Sequence, residues 1–250
     1  MAPLKLHTKR IYTQRIDLKE ILAQLNQGEV VIGSKEFTQS SLINPKANPY
    51  SLLFQAGYLT FIKQFSPSGK VHLACPNEET KLSLANLLAR HFFALAADIC
   101  STDSRREVIE ALIRVDPEMI GASFNNAIEI LPYSHCPDNE FWVTDLVSLL
   151  LFGIGLKPRL EVMSLNGRAD CVFDLPQSQL TVVFELKYEA SSDEQKLDAK
   201  LAEALQQIKK RKYAFNGNSE SKVARLGLVF CGEPGKRGFA RVALADVSER

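Results

Sequence analysis

The amino-acid sequence predicts an α/β domain in the C-terminal part of the chain, and three observations support that prediction. Helix-like and strand-like segments alternate in the order α, β, β, β, α, β, β from residue 140 to residue 244. Two apolar strands flank a turn at 176–179, whose proline and polar residues are typical of turns. A capping box, Ser192-Asp193-Glu194-Gln195, opens an amphipathic helix.

The N-terminal region, residues 1–130, is predicted to be mainly helical with one small hairpin. Apolar residues recur at helical spacing from Ile16 to Leu25. The segments 61–65 and 71–75 flank a Ser-Pro-Ser-Gly turn, which predicts the hairpin. Three more helices are expected, from Asn77, over 105–114 and over 117–130.

A domain boundary is predicted at 131–139, a stretch rich in Pro, Ser, Cys and Asp. It divides the chain into an N-terminal region, 1–130, and a C-terminal domain, 131–250. The C-terminal domain is expected to contain a helix over 140–153, a strand from Leu160, two hairpin strands, a helix over 192–213, and strands over 223–230 and 239–244.

The two hairpin strands, Cys171–Leu175 and Leu180–Phe184, predict a pair of facing acids. If the four-residue turn is central, Asp170 lies opposite Glu185, with Cβ atoms roughly 5 Å apart. Lys187 joins the same face because strand side chains alternate. The opposite face is wholly apolar and must be buried, which fixes the register.

Two facing carboxylates with a lysine one step along suggest a site for a hard cation such as Mg²⁺. The lysine can orient or help deprotonate a metal-bound water, or offset charge on a phosphate under attack. The alternative is an ordinary hairpin with a surface ion pair. The tripeptide alone is weak evidence, since Glu194-Gln195-Lys196 and Glu220-Ser221-Lys222 match it in polar stretches.

One flank of the 192–213 helix carries a polar set that points to the same chemistry. At about 100° per residue, Lys200, Gln207 and Arg211 fall together beside its apolar face. Such a flank can direct an amide and positive charges at a bound phosphate. Taken alone, Gln207 is equally explained as a solvated glutamine.

Composition excludes several classes of protein. The chain has 250 residues, 46% of them apolar and 24% charged, with a net charge of +1, so a nonspecific, charge-driven nucleic-acid coat protein is not expected. Five cysteines without a Cys-x-x-Cys pair are expected to be reduced thiols. The longest uncharged apolar run, 146–156, is too short to span a bilayer, so a soluble, cytoplasmic protein without membrane contact is predicted.

Four segments, in this order and at compatible distances, resemble the PD-(D/E)XK nuclease superfamily. The resemblance is to the branch whose nuclease domain follows an AAA-ATPase-like region, and Leu52 to Thr60 and Pro76 to Glu79 look like the end of that region. The four segments are Gly167-Arg168-Ala169-Asp170, Val183 to Tyr188, Ala204 to Tyr213 and Leu226 to Phe230.

The resemblance implies a restriction-endonuclease-like fold, a mixed sheet flanked by helices, and assigns roles to residues. Asp170, Glu185 and the Leu186 carbonyl match the metal ligands, and Lys187 matches the active-site lysine. Gln207 and Tyr213 match the helix motif that supports the site, and Glu140 matches an additional acid near the metal. The expected nucleic-acid contacts are Arg168, Lys200, Arg211 and Tyr213.

Two departures from the family pattern bear on function. The histidine that usually follows the helix glutamate is missing from Phe141-Trp142-Val143-Thr144, and the chain contains no Gly-x-x-x-x-Gly-Lys-Ser/Thr motif. The sequence is therefore expected to be either a fragment or a short natural member without ATPase activity.

The function implied by the resemblance is a metal-dependent nuclease that hydrolyses phosphodiester bonds, with DNA as the first expectation for its substrate. Mg²⁺ is the expected cofactor, with Mn²⁺ as a substitute. The other expected partners are an ATPase-like protein or missing domain, or a second copy of the chain in a homodimer. The alternative is a catalytically silent nuclease-fold module that binds nucleic acid or a protein.

Overall fold

The computed structural model describes residues 18–39, 48–62, 69–92, 102–129, 139–164, 167–211 and 222–249. The chain divides into two compact units, residues 1–84 and 85–250. The candidate site lies in the second unit. None of the helices in the described ranges combines the length and apolar character that crossing a bilayer requires.

The first unit contains a small antiparallel sheet in the order β1-β3-β2. The predicted hairpin is present as β2 and β3, although 63–68 lie outside the described residues. The strand β1, from the apolar run Val30-Val31-Ile32, was not predicted. The elements are α1 (Leu18–Asn26), β1 (Val30–Gly33), α2 (Ser34–Gln39), α3 (Pro49–Gln55), β2 (Thr60–Phe61), β3 (Lys70–Ala74) and α4 (Glu78–Phe92), which continues past the division between the units.

The second unit is a mixed sheet flanked by helices, which confirms the predicted fold class. Its five strands lie in the order β4-β5-β6-β7-β8, and only β6 and β7 run parallel, because the crossover between them contains α8. The described elements after α4 are α5 (Thr102–Arg114), α6 (Pro117–Ile128), α7 (Glu140–Gly153), β4 (Arg159–Ser164), β5 (Gly167–Leu175), β6 (Leu180–Glu189), α8 (Glu194–Arg211), β7 (Lys222–Cys231) and β8 (Gly238–Glu249).

Both faces of the sheet are covered. On one face phenylalanine rings pack edge to face, as Phe184 does against Phe124 of α6 and Phe173 of β5. On the other face α8 covers the sheet, and its Ile208 packs among valines of β5, β6 and β7. Full burial of each such side chain contributes about 1.5–3 kcal/mol. The parallel strands β6 and β7 are both buried over most of their length.

Helix α6 packs on the edge strand β8, and Phe124 contacts Phe239 there. Asn125 joins the two elements by paired hydrogen bonds. Asn125 Nδ2 donates to the Phe239 carbonyl at 3.1 Å, and the Phe239 N–H donates to Asn125 Oδ1 at 2.7 Å. The predicted boundary at 131–139 leaves this helix in the N-terminal region, whereas the compact unit that holds the sheet begins at Ala85. Whether residues 131–250 form a domain by themselves stays a prediction.

The start of α8 differs from the predicted capping box. Asp193 is the cap, because its Oδ1 accepts a hydrogen bond from the Lys196 N–H at 3.0 Å. The Ser192 N–H instead donates to Glu233 in the β7–β8 turn. The helix consequently begins at Glu194, two residues later than predicted.

Candidate functional site

The hairpin register agrees with the prediction, and it breaks off at the predicted acids. Strands β5 and β6 pair from Leu175 opposite Leu180 to Cys171 opposite Phe184. The next two residues are Asp170 and Glu185. In place of a further backbone pair, the Leu186 N–H donates to Asp170 Oδ2 at 2.8 Å.

The second ladder of β5 is interrupted at the same residue. Strand β4 pairs with β5 on both sides of Asp170, but the facing residue, Glu161, is missing from the pairing and has a φ of 52°. A left-handed conformation is uncommon for glutamate and is often found beside functional sites. Asp170 is thus the point where the ladder with β6 ends and the ladder with β4 is interrupted.

The Leu186 carbonyl lies on the same side of β6 as Asp170. In a β-strand the N–H and C=O of one residue point toward the same neighbouring strand, and the Leu186 N–H points at Asp170. The sheet therefore sets a carboxylate and a main-chain carbonyl beside each other, with Glu185 as the residue before the carbonyl.

Lys187 is a buried cation that contacts two of the acids. Its side chain is only 6% exposed, and its Nζ lies 3.2 Å from Glu140 Oε1 and 3.5 Å from Glu185 Oε1. Burial alone would lower the Lys187 pKa, but the carboxylates of Glu140, Glu185 and Asp170 outweigh burial and raise it. Lys187 is therefore a protonated ammonium group and acts as a hydrogen-bond donor.

Glu140 reaches this lysine from the beginning of α7. Asn139 caps the helix by accepting a hydrogen bond from the Trp142 N–H, so Glu140 is its first residue, as predicted. The missing family histidine does not prevent the glutamate from contacting Lys187. The structure thus joins Glu140 to Glu185 through one ammonium group.

Glu185 is almost fully enclosed and is held by two cations. Its side chain is 1% exposed, and its Oε1 lies 3.4 Å from Arg211 Nη1 as well as beside Lys187. The Arg211 Nη1 also donates to the Arg168 carbonyl at 2.9 Å. Pairing of this kind is what a buried carboxylate requires, because an uncompensated charge in the interior is strongly destabilising.

Asp170 is a half-buried acid with a raised pKa. Burial is the largest cause, and the charge of Glu140 adds to it. The Leu186 N–H and the cations Lys187 and Arg211 oppose the increase without cancelling it. A positive charge bound at this carboxylate would oppose the effect of burial and stabilise the ionised form.

Gly167, at the start of β5, lets Arg211 reach the site. Its φ is 149°, and a Cβ added there would lie 2.7 Å from Arg211 Cδ. A side chain at 167 would therefore clash with the arginine that compensates Glu185. This explains physically why a glycine precedes Arg168.

Replacing Gly167 with alanine is expected to destabilise the fold by about 2–4 kcal/mol, since backbone strain and the clash with Arg211 add. The measurement is urea unfolding. Gly235→Ala is the matched control, because Gly235 has a φ of 84° but no atom of the described residues within 4 Å of the added Cβ. Equal destabilisation by the two substitutions would show that the clash with Arg211 is unimportant.

Gln207 lies one turn before Arg211 on α8. Its Oε1 is buried and has no hydrogen-bond partner among the described residues. Leaving a buried polar atom unsatisfied costs about 1–3 kcal/mol, and such an atom calls for an explanation such as a bound water or ion. The Gln207 Oε1 is therefore shielded from solvent, and the role of Gln207 in the site stays a prediction.

The remaining predicted contacts are spread more widely. Arg168 has a half-exposed side chain that pairs with Glu161 Oε2 at 3.5 Å. Lys200 pairs with Glu203 and lies about 16 Å along α8 from Arg211, so the structure does not bring it to the acids. Tyr213 lies outside the described residues.

Glu161 was not predicted as a site residue, although its place opposite Asp170 follows from the β4–β5 register.

The donor set suits a hard divalent ion. No group of three or more His, Cys, Asp or Glu side chains within the described ranges is arranged to hold a metal. Mg²⁺ does not require one, because it keeps several waters and uses one or two carboxylates. The donor atoms available here are all oxygens, as Mg²⁺ prefers. They are the carboxylate oxygens of Asp170 and Glu185, the Leu186 carbonyl, and the Gln207 Oε1, which has no partner among the described residues.

Comparison with known proteins agrees with this description. Residues 140–239 match a family model of the PD-(D/E)XK nuclease superfamily. The match begins at Glu140 and includes every site element from α7 through α8, so the resemblance read from the sequence is confirmed over this part of the chain. No curated protein matches the chain.

Proposed function

We propose that the region over residues 140–239 is a Mg²⁺-dependent nuclease that hydrolyses phosphodiester bonds in DNA. One observation carries the proposal: the Lys187 ammonium group is buried between Glu140 and Glu185, beside a half-buried Asp170 whose pKa is raised. Acids held in this way around a cation are arranged to bind charge, and an ordinary surface ion pair would be exposed.

Asp170, Glu185 and the Leu186 carbonyl would hold the ion, with Mn²⁺ able to replace Mg²⁺. When bound, the ion would supply a Lewis acid and lower the pKa of a water molecule. The Gln207 Oε1 is a buried acceptor that can receive a hydrogen bond from such a water. Its position on α8 is compatible with orienting the water, not with moving a proton.

Lys187 supplies charge stabilisation. Because its pKa is raised, it donates hydrogen bonds and stays positive while negative charge develops on the phosphate oxygens. Glu140 orients the ammonium group from α7. Lys187 therefore serves as an electrostatic hydrogen-bond donor rather than as a general base.

The positions of the basic side chains indicate the path that a bound nucleic acid would follow. Arg168 stands at the open start of β5, and Lys200 lies about 16 Å from Arg211, the length of about five nucleotides at 3.4 Å each. Tyr213, two residues beyond α8, remains a predicted contact. An ATPase-like partner and a homodimer also remain predictions.

The test is to incubate the purified chain with supercoiled plasmid and Mg²⁺, with and without EDTA. We expect cutting that requires the metal and is retained by Asp174→Asn. Asp174 is a matched control because it lies on β5 but pairs with Arg159, away from Lys187. A folded chain that neither cuts nor binds Mg²⁺ or Mn²⁺ in calorimetry would support the silent binding module instead.

A further inference from the structure

We propose that Arg211 is a displaceable counter-ion, which leaves Glu185 when a divalent ion binds and then binds a phosphate of the nucleic acid. This inference rests on the proposed function, because it requires both a metal and a phosphodiester at the site. The sequence already predicts Arg211 as a nucleic-acid contact, and the new element is its release from Glu185 by the metal. Arg211 would link metal binding to nucleic-acid binding.

The contacts of Arg211 belong to the candidate metal site. Its Nη1 lies 2.9 Å from the Arg168 carbonyl and 3.4 Å from Glu185 Oε1. The same Glu185 oxygen also lies 3.5 Å from Lys187 Nζ. Two cations therefore converge on one oxygen of a carboxylate that would also have to serve as a metal ligand.

The net charge of the site changes from negative to positive when a divalent ion is added. Asp170, Glu185 and Glu140 bring three negative charges when ionised, and Lys187 and Arg211 bring two positive ones, for a sum of −1. A divalent ion brings the sum to +1. The ion and the two cations would then repel one another at short range, and one cation gains by moving away.

Arg211 is the cation that can move. The Lys187 side chain is 6% exposed and is held by Glu140 and Glu185. Arg211 is 31% exposed, is the last residue of α8, and passes over Gly167, which has no side chain to confine it. Its guanidinium group can therefore turn outward without disturbing the core.

Turned outward, the guanidinium would be available to bind a phosphate beside Arg168, whose half-exposed side chain is a predicted nucleic-acid contact. Guanidinium groups bind phosphate through two parallel hydrogen bonds, which a single ammonium cannot do. Metal binding would then increase the affinity for DNA through Arg211. By thermodynamic linkage DNA would increase the affinity for the metal by the same factor.

The experiment compares wild type, Arg211→Met, Arg211→Lys and Arg241→Met. Ca²⁺ is the probe because it takes the same kinds of oxygen ligand as Mg²⁺. Its affinity is measured by calorimetry. Binding of a short fluorescein-labelled DNA duplex is measured by anisotropy in EDTA and in Ca²⁺, with a gel to confirm that the duplex stays uncut. Arg241→Met is the matched control, because Arg241 joins β8 to Asp198 of α8 far along the helix from Arg211.

We expect Arg211→Met to bind Ca²⁺ roughly tenfold more tightly than wild type, since the competing cation is gone. Wild type should bind DNA roughly five- to tenfold more tightly in Ca²⁺ than in EDTA, and Arg211→Met should lose most of that gain. Arg241→Met should behave as wild type in both measurements.

Other outcomes separate this inference from the proposed function. If wild type binds Ca²⁺ but Arg211→Met binds it no more tightly, or keeps the full gain in DNA affinity, the inference is wrong and the nuclease proposal stands. If wild type binds no Ca²⁺, both fail. If Arg211→Met does not fold by circular dichroism, Arg211→Lys decides, because lysine keeps the charge but cannot bind a phosphate through two parallel hydrogen bonds. Full retention of the gain in DNA affinity by that variant overturns the inference.

Discussion

Replacing Lys187 with methionine is expected to slow plasmid cutting by about 10²–10⁴-fold. The ammonium group is the donor that stays positive beside the acids, and methionine keeps much of the apolar stem while removing the charge. The measurement is the initial rate of plasmid cutting in Mg²⁺ under single-turnover conditions. Circular dichroism and urea unfolding check that the variant is folded.

Two further measurements decide whether Lys187 acts in the reaction. Ca²⁺ affinity should not fall below that of wild type, because Asp170 and the Leu186 carbonyl are unchanged and a cation beside Glu185 is removed. Lys222→Met is the matched control, since Lys222 is an exposed lysine at the far end of the parallel ladder, opposite Leu180. If Lys187→Met cuts as fast as wild type, the activity belongs to a contaminant or to another site, and the role assigned to Lys187 is wrong.

The hairpin register could be predicted because it depends on local features. The turn at 176–179 and the period-two apolar pattern of both strands admit one register, and the structure has that register. The Asp170 environment could not be predicted in the same way. It arises from two interrupted ladders and from the left-handed φ of Glu161, which depend on a third strand.

Helix α8 shows that the angular position of a residue does not give its distance along the helix axis. Lys200, Gln207 and Arg211 share a flank because they differ by suitable multiples of 100°, but the helix rises about 1.5 Å per residue. Lys200 is therefore far from the acids, whereas Arg211 contacts Glu185. The approach of Arg211 depends on the absence of a Cβ at Gly167, and no local pattern in either segment reveals that contact.

The docking of α6 is a further case in which sequence separation hides a contact. Asn125 and Phe239 are 114 residues apart, and their paired hydrogen bonds join a helix assigned to the N-terminal region to the last strand of the sheet. Composition changes at 131–139 gave a reasonable boundary by linker rules. Such rules do not detect a helix that precedes the linker and packs on the domain that follows it.

Asp170→Asn is expected to weaken Mg²⁺ and Ca²⁺ binding by more than about 100-fold, because a loss of even an outer partner of a metal site costs 10–100-fold. Asparagine can still accept the hydrogen bond from the Leu186 N–H, so the local fold should persist. The affinity is measured by calorimetry, and plasmid cutting should fall with it. Asp174→Asn on the same strand should leave both unchanged.

The same variant is expected to be more stable than wild type in EDTA at neutral pH. The raised pKa means that the folded protein holds the Asp170 proton more tightly than the unfolded chain, so stability from protonation is lost as the pH rises through the folded pKa. Asparagine removes the buried charge at every pH. The gain should therefore be largest near pH 7 and should shrink toward about pH 3.9, where the unfolded aspartate is also protonated. Urea unfolding across this range measures it, and a gain that does not change with pH would show that Asp170 is not the titrating group.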